Sequence, residues 1–260
     1  MQSCKGLSAT LTRKAKHSNW SDTVCSLELA LIATATKERA QYEKKYLKSD
    51  LRFIGANAAD VHRQVKGFYL DHKSISRTEM FELTKALWAT DCHELRSIAI
   101  GLLVRYSNHT DARDLPLFRR WIMESAGWAH VDWISTDVLG SLYSRFPEIA
   151  ITLKIWSKDK DFWVRRASIL TLLDEARHGN EKAFELFSEL ASPMIGEKEF
   201  FIRKAIGWIL REVSKGQPTW TLKFLQRHAA QASGLTFREG SKYLSESQRR
   251  LLESERDVKK

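Results

Sequence analysis

Four short words of similar composition recur along the chain at nearly even intervals. They are LRSIA at residues 95–99, VDWIS at 131–135, VRRAS at 164–168 and IRKAI at 202–206, and their starts lie 36, 33 and 38 residues apart. Each word opens with an aliphatic residue, continues with two polar or large residues, and closes with small or aliphatic residues that can pack against a neighbouring helix. Intervals of this length are typical of helical-hairpin repeats, so the words predict a chain of stacked helical pairs.

The rest of the sequence also favours helices. Proline occurs four times and glycine twelve times in 260 residues, and apolar residues recur at spacings of three and four. Segments of helical length are separated by breaks near residues 107–111, 146–148, 177–180, 192–193 and 215–218. We therefore predict an all-α fold of HEAT-like helical hairpins that form a right-handed α-solenoid with a concave basic groove. The alternative is a helical bundle without repeats, since the matching words are short.

Cysteine spacing and apolar runs argue against several protein classes. Cys4, Cys25 and Cys92 are far apart, without a CxxC pair or a histidine at ligand spacing, which speaks against a disulfide framework and a zinc site. No apolar run is long enough to cross a bilayer, and the amino terminus lacks the pattern of a secretory signal. We expect a soluble, monomeric protein of the reducing cytoplasm. Its expected parts are a polar extension at residues 1–20, a repeat domain at 21–244 and a charged tail at 245–260.

The charge balance points to a polyanionic partner. Lysine and arginine number 42 against 32 aspartates and glutamates, which gives a net charge of +10 and a pI near 9.5. A merely basic, soluble surface would explain the charge equally well. Nine tryptophans favour nucleic acid, because indole faces suit bases and sugars while cations meet phosphates. Most tryptophans are nevertheless expected in the core, including Trp133, Trp156, Trp163 and Trp220.

The repeat register makes one acidic residue conspicuous. The second position of the four words is occupied by Arg96, Asp132, Arg165 and Arg203, and the third by Ser97, Trp133, Arg166 and Lys204. Asp132 would therefore be the one acid in a basic groove, where it would repel phosphates unless it faced a positive group. A cationic group on the nucleic acid would supply that charge. The alternative is a structural carboxylate that caps its helix or pairs with Arg165.

Longer words carry a family resemblance. GWAHVDWI at 127–134, FWVRRASIL at 162–170 and above all EFFIRKAIGWILREVSK at 199–215 resemble the AlkD-like DNA glycosylases of the DNA alkylation repair family. The likeness runs from about residue 25 to about residue 244. LRFIGAN at 51–57 is similar to a turn near the start of that family, but Ala58 and Ala59 follow it where a proline and basic residues are usual.

The resemblance implies an enzyme that hydrolyses the N-glycosidic bond of cationic N-alkylated purines, such as 3-methyladenine and 7-methylguanine, in duplex DNA. It implies no metal or organic cofactor. By resemblance, Trp128, Asp132 and Trp208 face the deoxyribose of the lesion, and Arg166 supports the DNA backbone. The register and the basic segments add the expected DNA contacts, which are Arg165, Arg203, Lys204, Lys48 and Arg52.

These residue types suit the reaction. An alkylated purine leaves as a neutral base while the sugar gains oxocarbenium character, so a carboxylate such as Asp132 can stabilise the charge and orient the attacking water. Indole faces would add about 0.5–2 kcal/mol each, and the fork of Arg166 would hold a phosphate. His130 is not needed as a general acid, and we expect a packing or surface role for it. Two other functions stay open: a non-catalytic HEAT module that binds damaged or branched DNA, and a protein-binding scaffold.

Overall fold

A computed structural model describes residues 20–258, and these form helices joined by short loops. The one β-type pairing in this range is an isolated bridge between Arg52 and Cys92. The predicted fold class, all-α with consecutive helical pairs as in a solenoid, is therefore confirmed. None of the described helices combines the length and the apolarity that crossing a bilayer requires. Apart from Trp20, the predicted extension at 1–20 lies outside the described residues.

The chain divides into two compact units, which meet in sequence between His109 and Thr110. The helices of the amino-terminal unit are α1 Ser21–Ile32, α2 Lys37–Leu47, α3 Ala58–Asp71, α4 Arg77–Trp88 and α5 His93–Arg105, followed by a 3-10 turn at Ser107–His109. Helix α5 packs against α3 and α4, and Leu95 and Ile98 on it are fully buried. Asn57 and Ser76 start α3 and α4 through capping boxes, which fix these helix starts locally.

The LRFIGAN turn lies between α2 and α3 in sequence, and its backbone is hydrogen-bonded both to Glu94 of α5 and to Thr36 at the start of α2. The buried carboxylate of Glu94 accepts hydrogen bonds from the backbone N–H groups of Ile54 (3.0 Å) and Gly55 (2.6 Å). The Thr36 N–H, just before α2, donates to the Gly55 carbonyl at 3.1 Å. Gly55 has φ of +92°, and a Cβ there would lie 2.1 Å from the Thr36 carbonyl oxygen, so only glycine fits. This contact anchors α2, which has no buried residue of its own.

The carboxy-terminal unit holds the remaining three repeat words. Its helices are α6 Leu115–Glu124, α7 Trp128–Trp133, α8 Gly140–Arg145, α9 Ala150–Trp156, α10 Phe162–Leu170, α11 Leu173–Arg177, α12 Glu181–Ala191, α13 Phe200–Ser214, α14 Pro218–Arg227, α15 Gly234–Gly240 and α16 Glu246–Val258. Helices α7 and α8 are joined without a break by a π-helical segment, Ile134–Leu139, here called the π segment. Three 3-10 turns lie at Ala112–Asp114, Pro147–Ile149 and Ser192–Met194. Helix α10 packs against α7, the π segment and α13, and α13 packs closely on α15.

The repeat register corresponds to the core. The opening aliphatic residue of every word is fully buried: these residues are Leu95, Val131, Val164 and Ile202. Each word therefore marks the face that its helix turns toward its neighbours, as the period predicted.

The predicted charged tail needs correction. Residues 246–258 form α16, which packs on α14, and Leu252 is fully buried. Gln226 donates to Glu255 at 2.8 Å, and the guanidinium of Arg256 lies 4.8 Å from the centre of the Phe237 ring. The high charge of this segment belongs to its solvent face, so a prediction from composition missed its apolar anchor.

The tryptophans divide between core and half-exposed sites. Trp156 is buried, as predicted. Trp133, Trp163 and Trp220, also predicted as core, are only partly buried. The ring of Trp163 lies 4.7 Å from that of Phe201, centre to centre, so it belongs to an aromatic cluster at the edge of the core.

Candidate active site

Helix α7 brings two predicted site residues together. Trp128 begins the helix and Asp132 follows four residues later, so both side chains project from one face. Both are partly exposed, whereas Val131 between them is fully buried. His130 is also buried, in agreement with the packing role expected for it.

The π segment starts directly after these residues and is supported by two hydroxyls. Ser135 Oγ donates to the Val131 carbonyl at 2.5 Å, and Thr136 Oγ1 donates to the Asp132 carbonyl at 2.9 Å. At the end of the segment, the Gly140 N–H donates to the carbonyl of Ser135, five residues back. Such π-helical turns are rare and are found frequently at functional sites.

Asp132 forms a forked ion pair with Arg166 of α10. Arg166 Nε donates to Asp132 Oδ1 at 2.7 Å and Nη2 donates to Oδ2 at 2.8 Å. The third guanidinium nitrogen, Nη1, donates to the Phe201 carbonyl at the start of α13. The side chain of Arg166 is 3% exposed and that of Asp132 is 14% exposed. The carboxylate is therefore the half of the Asp132–Arg166 pair that a ligand can reach.

Burial and the Arg166 guanidinium shift the pKa of Asp132 in opposite directions. Burial raises the pKa of Asp132 above its ordinary 3.8, although the hydrogen bonds and charge of Arg166 oppose that rise. The carboxyl group therefore titrates at higher pH than a surface aspartate does.

Two sequence-based expectations about this pair are corrected. Arg166 was expected to hold a phosphate through its fork, but all three of its nitrogens already donate to protein oxygens and the group is buried. The alternative partner for Asp132 was Arg165, which is wrong. Arg165 instead forks onto Glu197, with contacts of 3.1 and 2.8 Å.

The other expected cations of α10 and α13 are also paired. Arg203 Nε donates to the Glu197 carbonyl at 2.6 Å, and Lys204 Nζ lies 2.6 Å from Glu239 Oε1 of α15. Arg211 Nη1 reaches the other oxygen of Glu239 at 2.5 Å. These contacts lower the pKa of Glu239, with the Lys204 hydrogen bond as the largest cause.

Helices α13 and α15 pack closely beside Trp208. A Cβ at Gly207 would lie 2.7 Å from the Glu239 Cβ, so glycine is what lets α13 approach α15 this closely. Lys204, Trp208 and Arg211 follow one another at helical spacing along α13 and share a face. The partly exposed indole of Trp208 therefore lies between two cations that Glu239 holds.

The expected cations of the amino-terminal unit differ in exposure. Lys48 is exposed at the end of α2, and Arg52 forms a 2.8 Å ion pair with Glu28 while its side chain stays 49% exposed. Arg96, the register equivalent of Asp132, is buried and bonded to Asp91 and the Trp88 carbonyl. Arg96 is therefore a structural residue, and its guanidinium is not exposed for contact with DNA.

A cavity of about 590 Å³ adjoins the π segment in the carboxy-terminal unit. Trp208 forms one wall, and the other lining residues are Thr136, Asp137, Gly140, Ser141, Ser144, Arg145, Leu173, Asp174 and Arg177. Sequence reasoning singled out none of these except Trp208, because hydroxyl and charged residues spread over three elements produce no spacing signal. Among residues 20–258, no three side chains of metal-binding types come together.

The fold and the site define a class of protein, an all-α chain of packed helical pairs. A forked carboxylate–guanidinium pair joins α7, which carries Trp128, to α10, which carries Trp163. The sequence model of one family, described as DNA alkylation repair enzyme, matches residues 27–244. This chain belongs to that family.

Solved structures agree with this assignment at the level of the fold. A predicted DNA alkylation repair enzyme from Enterococcus faecalis shares 24% identity and a TM-score of 0.73, covering 82% of this chain and 98% of that one. AlkD2 from Streptococcus mutans shares 15% identity and a TM-score of 0.63, covering 87% of this chain and 100% of the other. Comparison with curated proteins gives no match.

Proposed function

We propose that this chain is a DNA glycosylase that hydrolyses the N-glycosidic bond of cationic N-alkylated purines in duplex DNA, acting as a cytoplasmic monomer. The observation that carries the proposal is the Asp132–Arg166 pair, in which the carboxylate is the accessible half. Asp132 also shares a face of α7 with the partly exposed indole of Trp128, so the reachable carboxylate lies on the same surface as an aromatic face. The family's role in repair of alkylated DNA supports the same reaction.

The charges match the chemistry of such a lesion. The alkylated base departs neutral, and positive charge shifts to the sugar as the bond breaks. A preorganised carboxylate stabilises that charge without solvent reorganisation, and stabilisation of this kind is usually the main source of an enzyme's rate enhancement. Arg166 lies behind the carboxylate and holds both of its oxygens. In this mechanism Arg166 is a positioning residue, and of the two paired side chains it is Asp132 that faces the sugar and the attacking water.

Trp128 and Trp208 complete the proposed site. Trp128 projects from the same face of α7 as Asp132, and Trp208 comes from α13, whose first turn is bonded to Arg166. Indole faces attract a cationic base or sugar by about 0.5–2 kcal/mol each. DNA phosphates would compete with Glu197 and Glu239 for Arg165, Arg203 and Lys204, while Lys48 and Arg52 are further proposed contacts.

The proposal is tested by single-turnover release of 7-methylguanine from a methylated duplex. Asp132→Asn keeps the size of the side chain but removes its charge and replaces one of the two acceptors of Arg166 by an N–H donor, so the rate should fall by roughly two to three powers of ten. Glu148→Gln, an exposed site in the same unit, is the matched control and should leave the rate unchanged. DNA affinity of Asp132→Asn should stay equal or rise, because a negative charge near phosphates is removed.

The second candidate function is a non-catalytic module that binds damaged DNA. Such a module would bind DNA as the proposed glycosylase does, but the wild-type protein would release no base. Wild-type release that Asp132→Asn does not slow would instead make Asp132 structural and overturn the mechanism.

A further inference from the structure

We propose that the cavity beside the π segment binds the nucleotide next to the lesion, with Arg145 and Arg177 on its phosphate. This inference rests on the proposed glycosylase function, and it concerns residues that neither the repeat register nor the family resemblance singled out. The position, size and mixed lining of the cavity each support it.

The cavity adjoins the proposed active site through Thr136 and Trp208. Thr136 lines it and donates its hydroxyl to the backbone carbonyl of Asp132, so the cavity begins one helical turn from the catalytic carboxylate. Trp208, the indole that we place against the lesion, also lines it. A DNA strand with its damaged sugar between Asp132 and Trp208 therefore extends directly into this space.

The size suits one nucleotide. The volume of about 590 Å³ lies within the range of about 300–1,000 Å³ that is usual for small-ligand sites. Gly140 contributes no side chain to the lining, and a Cβ there would lie 3.6 Å from the Thr171 carbonyl oxygen, which is ordinary contact. Close packing therefore does not require glycine at this position.

Arg145 is held in place and still has donors available. Its Nη1 donates to the Thr110 carbonyl at 3.0 Å, its Nη2 to Thr110 Oγ1 at 2.8 Å, and its Nε to the Ser141 carbonyl at 3.3 Å. A guanidinium carries five N–H donors, so two of them are not used by these contacts. An arginine fixed in this way loses little conformational freedom when it binds a phosphate.

Arg177 is paired only through an exchangeable contact. It lies 2.6 Å from Asp174, three residues earlier on the same helix, and the two side chains are 45% and 51% exposed. An exposed pair of this kind contributes between about 0 and 1 kcal/mol, so a phosphate can replace the carboxylate at little cost.

The mixed lining matches a nucleotide better than a free anion. Ser141, Ser144 and the two arginines offer donors to a phosphate. Asp137 and Asp174 would repel an isolated anion, but their oxygens can accept from the amino groups of a base. Trp208 offers an aromatic face to the sugar or the base.

The test is a thermodynamic cycle between the arginines and the DNA phosphates. Duplexes carry one 7-methylguanine and a single neutral methylphosphonate, placed in turn at each of the phosphates on either side of the lesion. Binding is measured for wild type, Arg145→Gln, Arg177→Gln and the double variant. On the all-phosphate duplex each single substitution should weaken binding about tenfold and lower the salt slope by about one.

The decisive result is non-additivity. At the methylphosphonate position that the cavity serves, wild type should lose as much affinity as the double variant loses on the all-phosphate duplex, about a hundredfold, and neither Arg145→Gln nor Arg177→Gln should bind that duplex more weakly than wild type does. Arg113→Gln is the matched control, because Arg113 forms a similar exposed contact of 2.7 Å with nearby Asp111 and does not line the cavity. It should bind every duplex like wild type, and thermal unfolding should show all variants folded.

Two results overturn the inference. One is unchanged affinity in the double variant, and the other is an equal loss on every methylphosphonate duplex, which would mean general charge attraction without a subsite. Because affinity is measured separately from base release, failure of the proposed reaction stays distinguishable. A wild type that binds but releases no base, with non-additivity intact, keeps the subsite and rejects only the glycosylase.

Discussion

A carboxylate that is buried on one side and accessible on the other is costly, and a single residue stabilises Asp132 in that state. Arg166 contacts both carboxylate oxygens and the start of α13. Because the guanidinium is the more deeply buried partner, removing it leaves a negative charge without compensation in a place that water reaches poorly.

Replacement of Arg166 by alanine should therefore affect both stability and the pH profile. We expect a loss of about 3 kcal/mol in the free energy of unfolding, as for other buried pairs that lose one partner. Burial already raises the pKa of Asp132, and without the opposing guanidinium it should rise further. Since the mechanism needs the ionised carboxylate, the excision rate falls as pH drops through that pKa.

Denaturant unfolding and rates of 7-methylguanine release between pH 5 and pH 8 check both expectations. Arg166→Lys, which keeps the charge but not the fork, should show a smaller shift of the acidic limb. A profile of Arg166→Ala that coincides with wild type would show that Arg166 does not position Asp132.

The sequence singled out Asp132 but not the partner of its ion pair. The repeat register aligned Asp132 with Arg165, whereas the structure pairs it with the next residue, Arg166. Consecutive helix residues project about 100° apart, because a helix has 3.6 residues per turn, so Arg165 and Arg166 face different neighbours. Only the packing of α7 on α10 decides between the two arginines.

At the level of elements, Gly207 sets the distance between α13 and α15. A Cβ at Gly207 would lie 2.7 Å from the Glu239 Cβ, whereas a Cβ at Gly67, in the exposed middle of α3, meets no atom within 4 Å. We expect Gly207→Ala to destabilise the protein by about 1–3 kcal/mol through overpacking.

The matched substitution Gly67→Ala should instead stabilise by about 0.5–1 kcal/mol, because alanine costs less conformational entropy within a helix. Thermal and denaturant unfolding of the two variants measure the difference. Similar small effects from both would contradict a close contact at Gly207.

The helices that a local apolar pattern marks could be predicted from the sequence, and the features that depend on packing could not. Apolar spacing identified the helices around the repeat words, and the structure buries the opening residue of each word. The π segment was not predicted, since an i+5 hydrogen bond has no compositional signature and the hydroxyls of Ser135 and Thr136 are common in ordinary helices. Helix α16 was missed because Leu252 is a single buried anchor among charged residues.

At the scale of the whole molecule, a net charge of +10 coexists with extensive local neutralisation. Several cations that the sequence assigned to DNA are bound by acids in the structure, as Lys204 is by Glu239. The total charge was readable from composition, but the pairing was not, because the acids lie in other elements far along the sequence, as in Lys204–Glu239 (35 residues) and Arg165–Glu197 (32 residues).

This pairing predicts how stability depends on pH. Lys204 and Arg211 lower the pKa of Glu239 below its ordinary 4.5, so the unfolded chain binds its proton more readily than the folded chain. The contribution of Glu239 to stability is complete above pH 4.5 and is lost as pH falls through the lowered pKa. Glu239→Gln cannot titrate, so its unfolding free energy should decrease less than that of wild type between pH 6 and pH 3.

Denaturant unfolding at a series of pH values measures both curves. Glu148→Gln is again the control, since that exposed residue should leave the pH dependence of stability unchanged. Parallel curves for wild type and Glu239→Gln would show that the contacts of Lys204 and Arg211 do not persist in solution.

The π segment also makes the helix that carries Asp132 one residue longer than an α-helix would be between the same ends. Deleting a single residue there, such as the exposed Asp137, would let the segment close into ordinary α-helix. Because the π turn absorbs the extra residue locally, the deletion would leave Trp128 and Asp132 in nearly their present orientation relative to α8, with the carboxylate still facing Arg166. An alignment with a relative that has an ordinary α-helix here should therefore place a one-residue gap between Trp133 and Gly140, because without it the residues on one side are matched to neighbours about 100° round the helix.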